Sequence, residues 1–377
     1  MTKKITFLTR HYPPNPNING ESVRDMVKYL EEEFQIESRV ICIDRKAEGG
    51  GANRQPAGEV LRLKTPYQGE NALLRFFTFL YDGFILTKKA LQYKDTLIIC
   101  TTSPPLLPFW ASLMFGKKIQ WALWSLDLFP EGFYATGMIR KENLFYKWVL
   151  KRTYKNKPNF LIALGEEQAK HLQSVYKAKV PYELLPCGVF FYQNKSETPP
   201  DWYESDKLYF GYCGNINDAH NPEIIKGVID ALDPAKHRIV LALYGNKAAE
   251  VKAYAEGKAG VILVDRVPRE QLHFIDIHIV TLLKKWTHIA VPSKAVSAIF
   301  MGGSLLFCGS EQSDNWQMFK EAGWFVEEND QIKAQVKSII KSITKEEVEH
   351  RKAKTPALVQ KLQNYVLETY KNIANQV

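Results

Sequence analysis

VPSKAVSAIFMGGSLLF, Val291 to Phe307, is the stretch on which the fold turns. It follows DIHIVTLL (Asp276–Leu283), an apolar run of buried-strand character, and Pro292 stands where proline is tolerated, at or just before a helix start. Ser293 is placed to cap that helix. Helix N-termini leave backbone N–H groups without partners and carry partial positive charge, so a phosphate there gains hydrogen bonds and roughly 0.3–1 kcal/mol of dipole attraction. Lys294 adds a full charge beside them. Ala295, Val296, Ala298, Ile299, Phe300 and Met301 make a mostly apolar helix that has to be buried; Gly302 and Gly303 stop it, and Ser304–Phe307 begins the next strand. The unit is strand, phosphate-sized turn, buried helix, strand. Its plainer alternative is an ordinary helix cap with an exposed lysine.

The same alternation runs outward in both directions. Short apolar runs at Lys4–Thr9, Arg39–Ile43, Thr96–Thr101, Lys118–Leu123, Phe160–Leu164 and Tyr182–Leu185 are separated by amphipathic segments, the pattern of a parallel sheet wrapped by helices. It restarts after the polar, double-proline segment NKSETPPDWYES (Asn194–Ser205). Strands are then expected at Leu208–Cys213, Arg238–Tyr244, Val261–Val264, Asp276–Leu283, Ser304–Phe307 and Trp324–Val326. Two doubly wound α/β domains follow, 1–194 and 195–354, with a helical tail that packs on either of them. A length of 377 residues, beyond one core's usual size, agrees.

Lysine and arginine outnumber acidic residues 50 to 41, and the formal net charge of +9 suits an anionic partner: nucleotide phosphates, lipid headgroups or nucleic acid. The cysteines, Cys42, Cys100, Cys187, Cys213 and Cys308, are widely spaced and mostly inside apolar runs. They read as small buried residues of a reducing compartment, with no metal or disulfide framework. The opening MTKKITFLTRHYPP has too short an apolar core for a signal peptide, and no run of about 18 or more apolar residues suggests a transmembrane helix. The expected location is the cytoplasm, with a membrane surface within reach.

Ligands of open α/β sheets sit beyond the carboxyl ends of the strands, so the loops there carry the candidates. After the first strand, RHYPPNPNINGESVRD places Gly20 just before a helix expected near Glu21, where glycine permits close backbone approach to a ligand or merely serves the loop. WSLDLFPE sets Asp127 and Glu131 among Trp121, Trp124 and Phe129, either as a cap or as a carboxylate poised to orient or deprotonate a hydroxyl. In the second half, the Gly214–Asn215 turn of GYCGNINDAHN can face a diphosphate, with His220 close behind. LALYGNKAAE sets Lys247 on a turn after Gly245, and VDRVPRE lets Asp265–Val267 lie along a base or ribose. Each alone is commonly a surface turn; four at the strand ends of one domain make a stronger pattern.

Two stretches look outward. Ala72–Tyr93 is rich in Phe, Leu and Tyr, and Met138–Lys157 interleaves Phe145, Tyr146, Trp148 and Tyr154 with lysines and arginines. Such composition suits an anionic membrane interface or a lipid-linked substrate; it also suits nucleic acid, or core helices with solvated basic faces.

Together the YPP…GES loop, SPP after the Cys100 strand, DLFPE, the LLPCGV run, GN…H, and VPSK with its glycine-ended helix resemble the retaining GT-B glycosyltransferases of family GT4, nearest the colanic-acid and exopolysaccharide type. The resemblance covers nearly the whole chain. It implies two Rossmann-like domains facing across a cleft, acceptor on the first, nucleotide-sugar on the second, and a C-terminal helix (about 355–377) crossing back to the first. It implies a sugar moved from a nucleoside diphosphate-sugar to a cell-envelope or exopolysaccharide acceptor, lipid-linked and without nucleic acid; the aromatic and basic stretches add an anionic membrane surface as a partner. No cofactor and no metal are implied, because backbone N–H groups and basic side chains neutralise the leaving diphosphate.

Residue by residue, the resemblance implies Gly20 in the loop approaching the donor phosphates and Asp127 on the acceptor side. It implies Gly214, Asn215 and Lys247 at the diphosphate, Arg266 and Val267 at the base, and Pro292, Ser293 and Lys294 as the phosphate-facing turn. The family's two glutamates around the donor sugar and ribose fall on Ile289 and Ser297, neither able to do a carboxylate's work, and the asparagine of its "PNGV" is Cys187. These departures keep a second reading open, a non-catalytic sugar-nucleotide-binding or scaffold subunit. A nucleotide-sugar epimerase on the same architecture lacks the expected cleft carboxylates and histidines.

Overall fold

The computed structural model describes residues 3–45, 54–69, 71–189 and 195–377; Asn194, the first residue of the expected linker, lies outside them. The chain divides into two units. One runs to Cys187 and takes back Tyr365–Val377, and the other is Gly188–Asn364.

In the first unit the strands are β1 (Lys4–Leu8), β2 (Glu37–Asp44), β3 (Glu59–Lys64), β4 (Leu97–Thr101), β5 (Trp121–Trp124), β6 (Phe160–Ala163) and β7 (Tyr182–Leu184). They form one all-parallel sheet in the order β3-β2-β1-β4-β5-β6-β7. The connecting helices are α1 (Ile18–Phe34), α2 (Ala72–Ala90), α3 (Leu107–Met114), α4 (Glu131–Ala135), α5 (Leu144–Thr153) and α6 (Glu166–Tyr176). Central strands such as β4 and β5 are buried along their whole length, as parallel strands covered on both faces must be.

In the second unit β8 (Leu208–Asn215), β9 (His237–Tyr244), β10 (Val261–Leu263), β11 (Ile277–Thr281), β12 (Ser304–Gly309) and β13 (Gly323–Glu327) make a parallel sheet in the order β10-β9-β8-β11-β12-β13. Its helices are α7 (Glu223–Ala231), α8 (Ala248–Ala255), α9 (Ser293–Phe300), α10 (Asp314–Phe319), α11 (Ile332–Ser342) and α12 (Lys345–Lys352). The final helix, α13 (Thr355–Gln376), ends in the first unit, where Thr369 Oγ1 donates to Leu184 O at 2.8 Å and Asn372 Nδ2 to Glu183 Oε2 at 3.0 Å.

Each sheet reverses its strand order once, at β1/β4 and at β8/β11, and such reversals are where parallel sheets open a crevice for ligands. The expected strands are all present within a few residues, and β3 is one more. EVLRLK alternates Glu59, Arg62 and Lys64 with apolar residues because it is an edge strand, half-exposed along its length. Cys42, Cys100, Cys187 and Cys308 are buried, Cys213 partly so, and all are free thiols. Among the described residues no helix is long and apolar enough to cross a membrane.

Two local expectations need correction. α1 starts at Ile18, capped by Asn17 Oδ1, so Gly20 lies in its first turn rather than in the loop. A Cβ on Gly20 would stand 2.8 Å from His11 O, so the chain's own backbone already requires glycine there. Ser293 is the first helical residue of α9 and not its cap; the N-cap is Pro292, which offers no side-chain acceptor.

Candidate functional site

The site in the second unit begins with the alternation of β8, which sets Tyr212 and Gly214 on the same face of the strand. Gly214 has φ +132°, and a Cβ there would stand 2.7 Å from Lys294 Cε, so glycine both takes the backbone angle and admits the lysine. Lys294 reaches across from the first turn of α9. Its Nζ donates to Tyr212 OH at 2.8 Å and to Asn215 O, and lies 4.5 Å from the Tyr212 ring centroid. Two of three ammonium donors are thus used, and among the described residues no acceptor takes the third. Burial pushes the pKa of Lys294 down to about 7.

Loops from neighbouring strands close around this lysine. Asn221 N donates to Thr281 Oγ1 at 3.2 Å and Leu283 N to Ala219 O at 2.8 Å, tying the segment after β8 to the segment after β11 at the strand-order reversal. Lys247, N-cap of α8, donates from Nζ to His220 O at 2.8 Å. His220 is buried, with its Nδ1 3.2 Å from the Asn217 backbone N and 2.8 Å from Asn217 Oδ1. Burial, then the ammonium groups of Lys294 and Lys247, hold it neutral. Gly245, φ +104°, presses on the β8 turn: a Cβ would fall 2.1 Å from Asn215 Oδ1 and 2.6 Å from Ile216 O. The two turns are one floor, and among the described residues no hydrogen-bond partner reaches Asn215 Oδ1, which is buried in it.

Above that floor α9 presents an N-terminus with no side-chain cap among the described residues. Val296, Ile299 and Phe300 anchor it, each almost fully buried and worth roughly 1.5–3 kcal/mol, so the helix holds without a cap. Asn315 Nδ2 donates to Pro292 O at 3.1 Å and fixes the turn. Gly188, φ +86°, comes from the LLPCGV run; a Cβ on it would be 3.7 Å from Ser293 and 3.8 Å from Ser297 Oγ. Ile289 is buried.

In the first unit Asp127 follows β5. Leu126 N donates to Thr102 Oγ1 at 2.9 Å and Gln168 Nε2 to Leu126 O at 2.8 Å, which pins the backbone just before it. The Asp127 side chain is exposed, and no hydrogen bond or ion pair reaches it among the described residues. Desolvation by the surrounding protein still pushes its pKa up to about 6. Glu131, four residues on, is the opposite case: buried, it accepts from Tyr154 OH at 2.6 Å, and burial raises its pKa to about 7. Trp121 and Trp124 are core residues of β5, and the ring that bonds Glu131 is that of Tyr154.

No protein-family model matches the chain. A probable glycosyltransferase of Pseudomonas aeruginosa, WbjE, is 22% identical over 299 residues, 71% of this chain and 72% of that protein. The crystal structure of WaaG, a glycosyltransferase involved in lipopolysaccharide biosynthesis, superposes with a TM-score of 0.67 at 12% identity over 99% of each chain. An α,α-trehalose-phosphate synthase (UDP-forming) from Burkholderia vietnamiensis does so with a TM-score of 0.67 at 9% identity over 100% of each chain. The fold is GT-B.

Of the residues singled out in the sequence, this GT-B chain brings Gly214, Asn215, Lys294 and, through His220, Lys247 into one cluster at the β8/β11 reversal. Pro292, Ser293 and Ser297 line its helix. Arg266 and Val267 stand apart at the end of edge strand β10, two strands from β8, or roughly 10 Å away. Arg266 is exposed with no hydrogen bond or ion pair among the described residues, whereas the Val267 side chain is packed with Tyr209, Val240, Ala242 and Ile275 and leaves only its main chain to a ligand. Gly20 and Asp127 belong to the other unit. Sequence reasoning missed Tyr212, which seats Lys294, and Asn315; the period-2 pairing of Tyr212 with Gly214 was the available signal for the first. Among the described residues no group of three or more His, Cys, Asp or Glu side chains is arranged to hold a metal ion.

Proposed function

We propose that the chain is a glycosyltransferase that moves a sugar from a nucleoside diphosphate-sugar to a cell-envelope or exopolysaccharide acceptor carried on a lipid, with retention of configuration and without a metal. It acts at the inner face of a membrane and is a GT4-type enzyme of the exopolysaccharide class. The observation that carries this reading is Lys294, a half-buried ammonium with one donor free, set on Gly214 beside an uncapped helix N-terminus. Lys294, the first-turn amides at Ser293 and the Gly214–Asn215 turn receive the departing diphosphate. Arg266 and the Val267 main chain take the base, Ser297 the ribose side, and Asp127 orients the acceptor hydroxyl. WbjE and WaaG, both glycosyltransferases by name, support the class of reaction and of substrates.

The test is a thermal-shift and binding panel of UDP, GDP, ADP, CMP and dTDP on the chain and on Lys294→Ala. One strong stabiliser, weakened by the substitution, is the expected result; silence across the panel, or turnover untouched by the substitution, would sink the reading. A buried Ile289 in place of a glutamate favours one alternative, a subunit that binds sugar nucleotides without turnover. Hydrolysis of the donor in the absence of acceptor excludes it.

A further inference from the structure

The stretches α2 and α4–α5 carry exposed apolar side chains that the donor site does not use. Leu144 is 81% exposed, Leu73 65%, Met138 62%, Phe77 57%, Phe145 57% and Trp148 48%. They are not scattered. Ring contacts run Phe84–Trp110 (5.2 Å), Phe109–Trp110 (5.3 Å), Phe109–Trp148 (5.9 Å) and Phe145–Trp148 (6.0 Å), joining α2, α3 and α5, and Phe76–Phe133 (5.5 Å) joins α2 to α4. The exposed residues are therefore edges of one continuous aromatic layer on the first unit. On α2 they fall at Leu73, Leu74, Phe77 and Tyr81, one helical stripe, while Asp82, the acidic residue of that helix, is fully buried.

Around this layer Lys141, Lys147, Lys151, Arg152, Lys155 and Lys157 are all exposed, and among the described residues none of them forms an ion pair. Arg152 lies 5.8 Å from the Trp148 ring and Lys141 5.9 Å from the Tyr134 ring, stems along apolar surface and charges outward. Glu142 is the acidic residue in their midst. A contiguous exposed apolar face of this kind marks an interaction surface. Exposed Trp, Phe and Leu ringed by unpaired cations match a bilayer surface, where apolar side chains enter the headgroup boundary and each cation near anionic lipid contributes roughly fivefold in affinity.

We propose that this face, the stripe of α2 with Met138 and the outer side of α5, docks the chain on an anionic lipid bilayer without spanning it. The proposal rests on the membrane reading above and assigns its surface; it requires no sugar donor and no turnover.

The test is co-sedimentation of the full chain with vesicles of phosphatidylcholine alone and of phosphatidylcholine mixed with phosphatidylglycerol, at low and high salt. Binding is expected to the mixed vesicles and to fall as salt rises. The double variant Phe145→Ser, Trp148→Ser is expected to weaken it by about tenfold or more, and Lys147→Glu, Lys151→Glu by more than about twentyfold. Lys337→Glu, Lys341→Glu on α11, the same change of charge on the other unit, is the control and leaves it intact. An equal loss in the control would show that overall charge does the work and would overturn the assignment, as would equal binding to neutral vesicles or no binding at all. Self-association without vesicles, abolished by the serine pair, would give the face to a second copy and also overturn it. Melting curves with and without nucleotide, run on every variant, report folding and the donor reading separately, so either can fail without the other.

Discussion

The Cα of Gly214 faces the aliphatic stem of Lys294 so closely that a methyl group on it would stand 2.7 Å from Cε. The lysine is held in place by the absence of a side chain on β8.

Gly214→Ala is accordingly expected to expel Lys294 from Tyr212 OH and Asn215 O, since a flexible stem yields before a strand does. The positive φ adds strain of about 1–3 kcal/mol. Gly257→Ala is the comparison: it also has positive φ, +71°, but nothing within 4 Å of the added carbon. Both variants lose stability, and only Gly214→Ala loses the nucleotide-induced rise in melting temperature. Equal nucleotide responses in the two would show that Lys294 does not touch the diphosphate.

With its pKa pushed down to about 7, Lys294 is close to half-protonated at neutral pH. A bound diphosphate favours the ammonium and raises that pKa, so binding takes up a proton once the pH exceeds about 7. Nucleotide affinity is expected to be greatest at and below that pH and to fall by up to about tenfold per unit above it, in a range where the nucleotide's own charge is constant. Calorimetric titrations in buffers of different ionisation heat measure the proton directly, and Lys294→Met should abolish both effects. A flat profile in the parent chain would count against the assignment.

Among the described residues Asp127 is exposed with no hydrogen-bond or ion-pair partner, so Asp127→Asn breaks no contact, should not lower stability, and should leave nucleotide binding as it is. Transfer to acceptor is expected to fall by about 10²- to 10⁴-fold. In the parent chain, the acid limb of the rate profile should bend near pH 6, the value to which desolvation raises this carboxyl. Full activity in the asparagine variant would remove Asp127 from the reaction.

Glu131 behaves differently because it is buried. Its folded pKa, raised to about 7, lies above that of the unfolded chain, so the folded state holds the extra proton between about pH 4.5 and 7. The contribution of this group to stability is whole below that window and is lost as pH rises through it, by an amount on the order of 3 kcal/mol. Glu131→Gln should flatten the profile, gaining on the parent chain from pH 5 to pH 8 in denaturant titrations. Tyr154→Phe removes the donor to Oε1 and should cost about 1–3 kcal/mol, most at the higher pH. Parallel curves for the parent and Glu131→Gln would refute the buried acid.

The architecture was legible because parallel strands covered on both faces are written as continuous apolar runs, and β4, β5, β11 and β12 are such runs. β3 was not, since an edge strand mixes Glu59, Arg62 and Lys64 with apolar residues and reads as loop. Turns carrying glycine and lysine at strand ends pointed to Gly214, Asn215 and Lys294. What they could not give is which partner holds which: Tyr212 and Lys294 are 82 residues apart, and only the β8/β11 pairing makes them neighbours. Ser293 as a cap failed for a local reason, because Pro292 already has the cap's extended geometry and the helix starts one residue earlier. At Gly20 the crowding neighbour is the His11 carbonyl of the preceding loop, a contact that the sequence pattern does not show.

That separation between Tyr212 and Lys294 also has a meaning in time. On a ribosome adding roughly 5–20 residues per second, the GYCGN segment emerges about 4–16 s before the lysine that completes it. During that interval β8 can pair with β9, but its other edge stays open until β11 is made, and the turn carries no cation. Nucleotide can therefore stabilise the finished second unit and cannot template its early assembly; nascent-chain folding of this unit should be indifferent to the donor until α9 has left the exit tunnel.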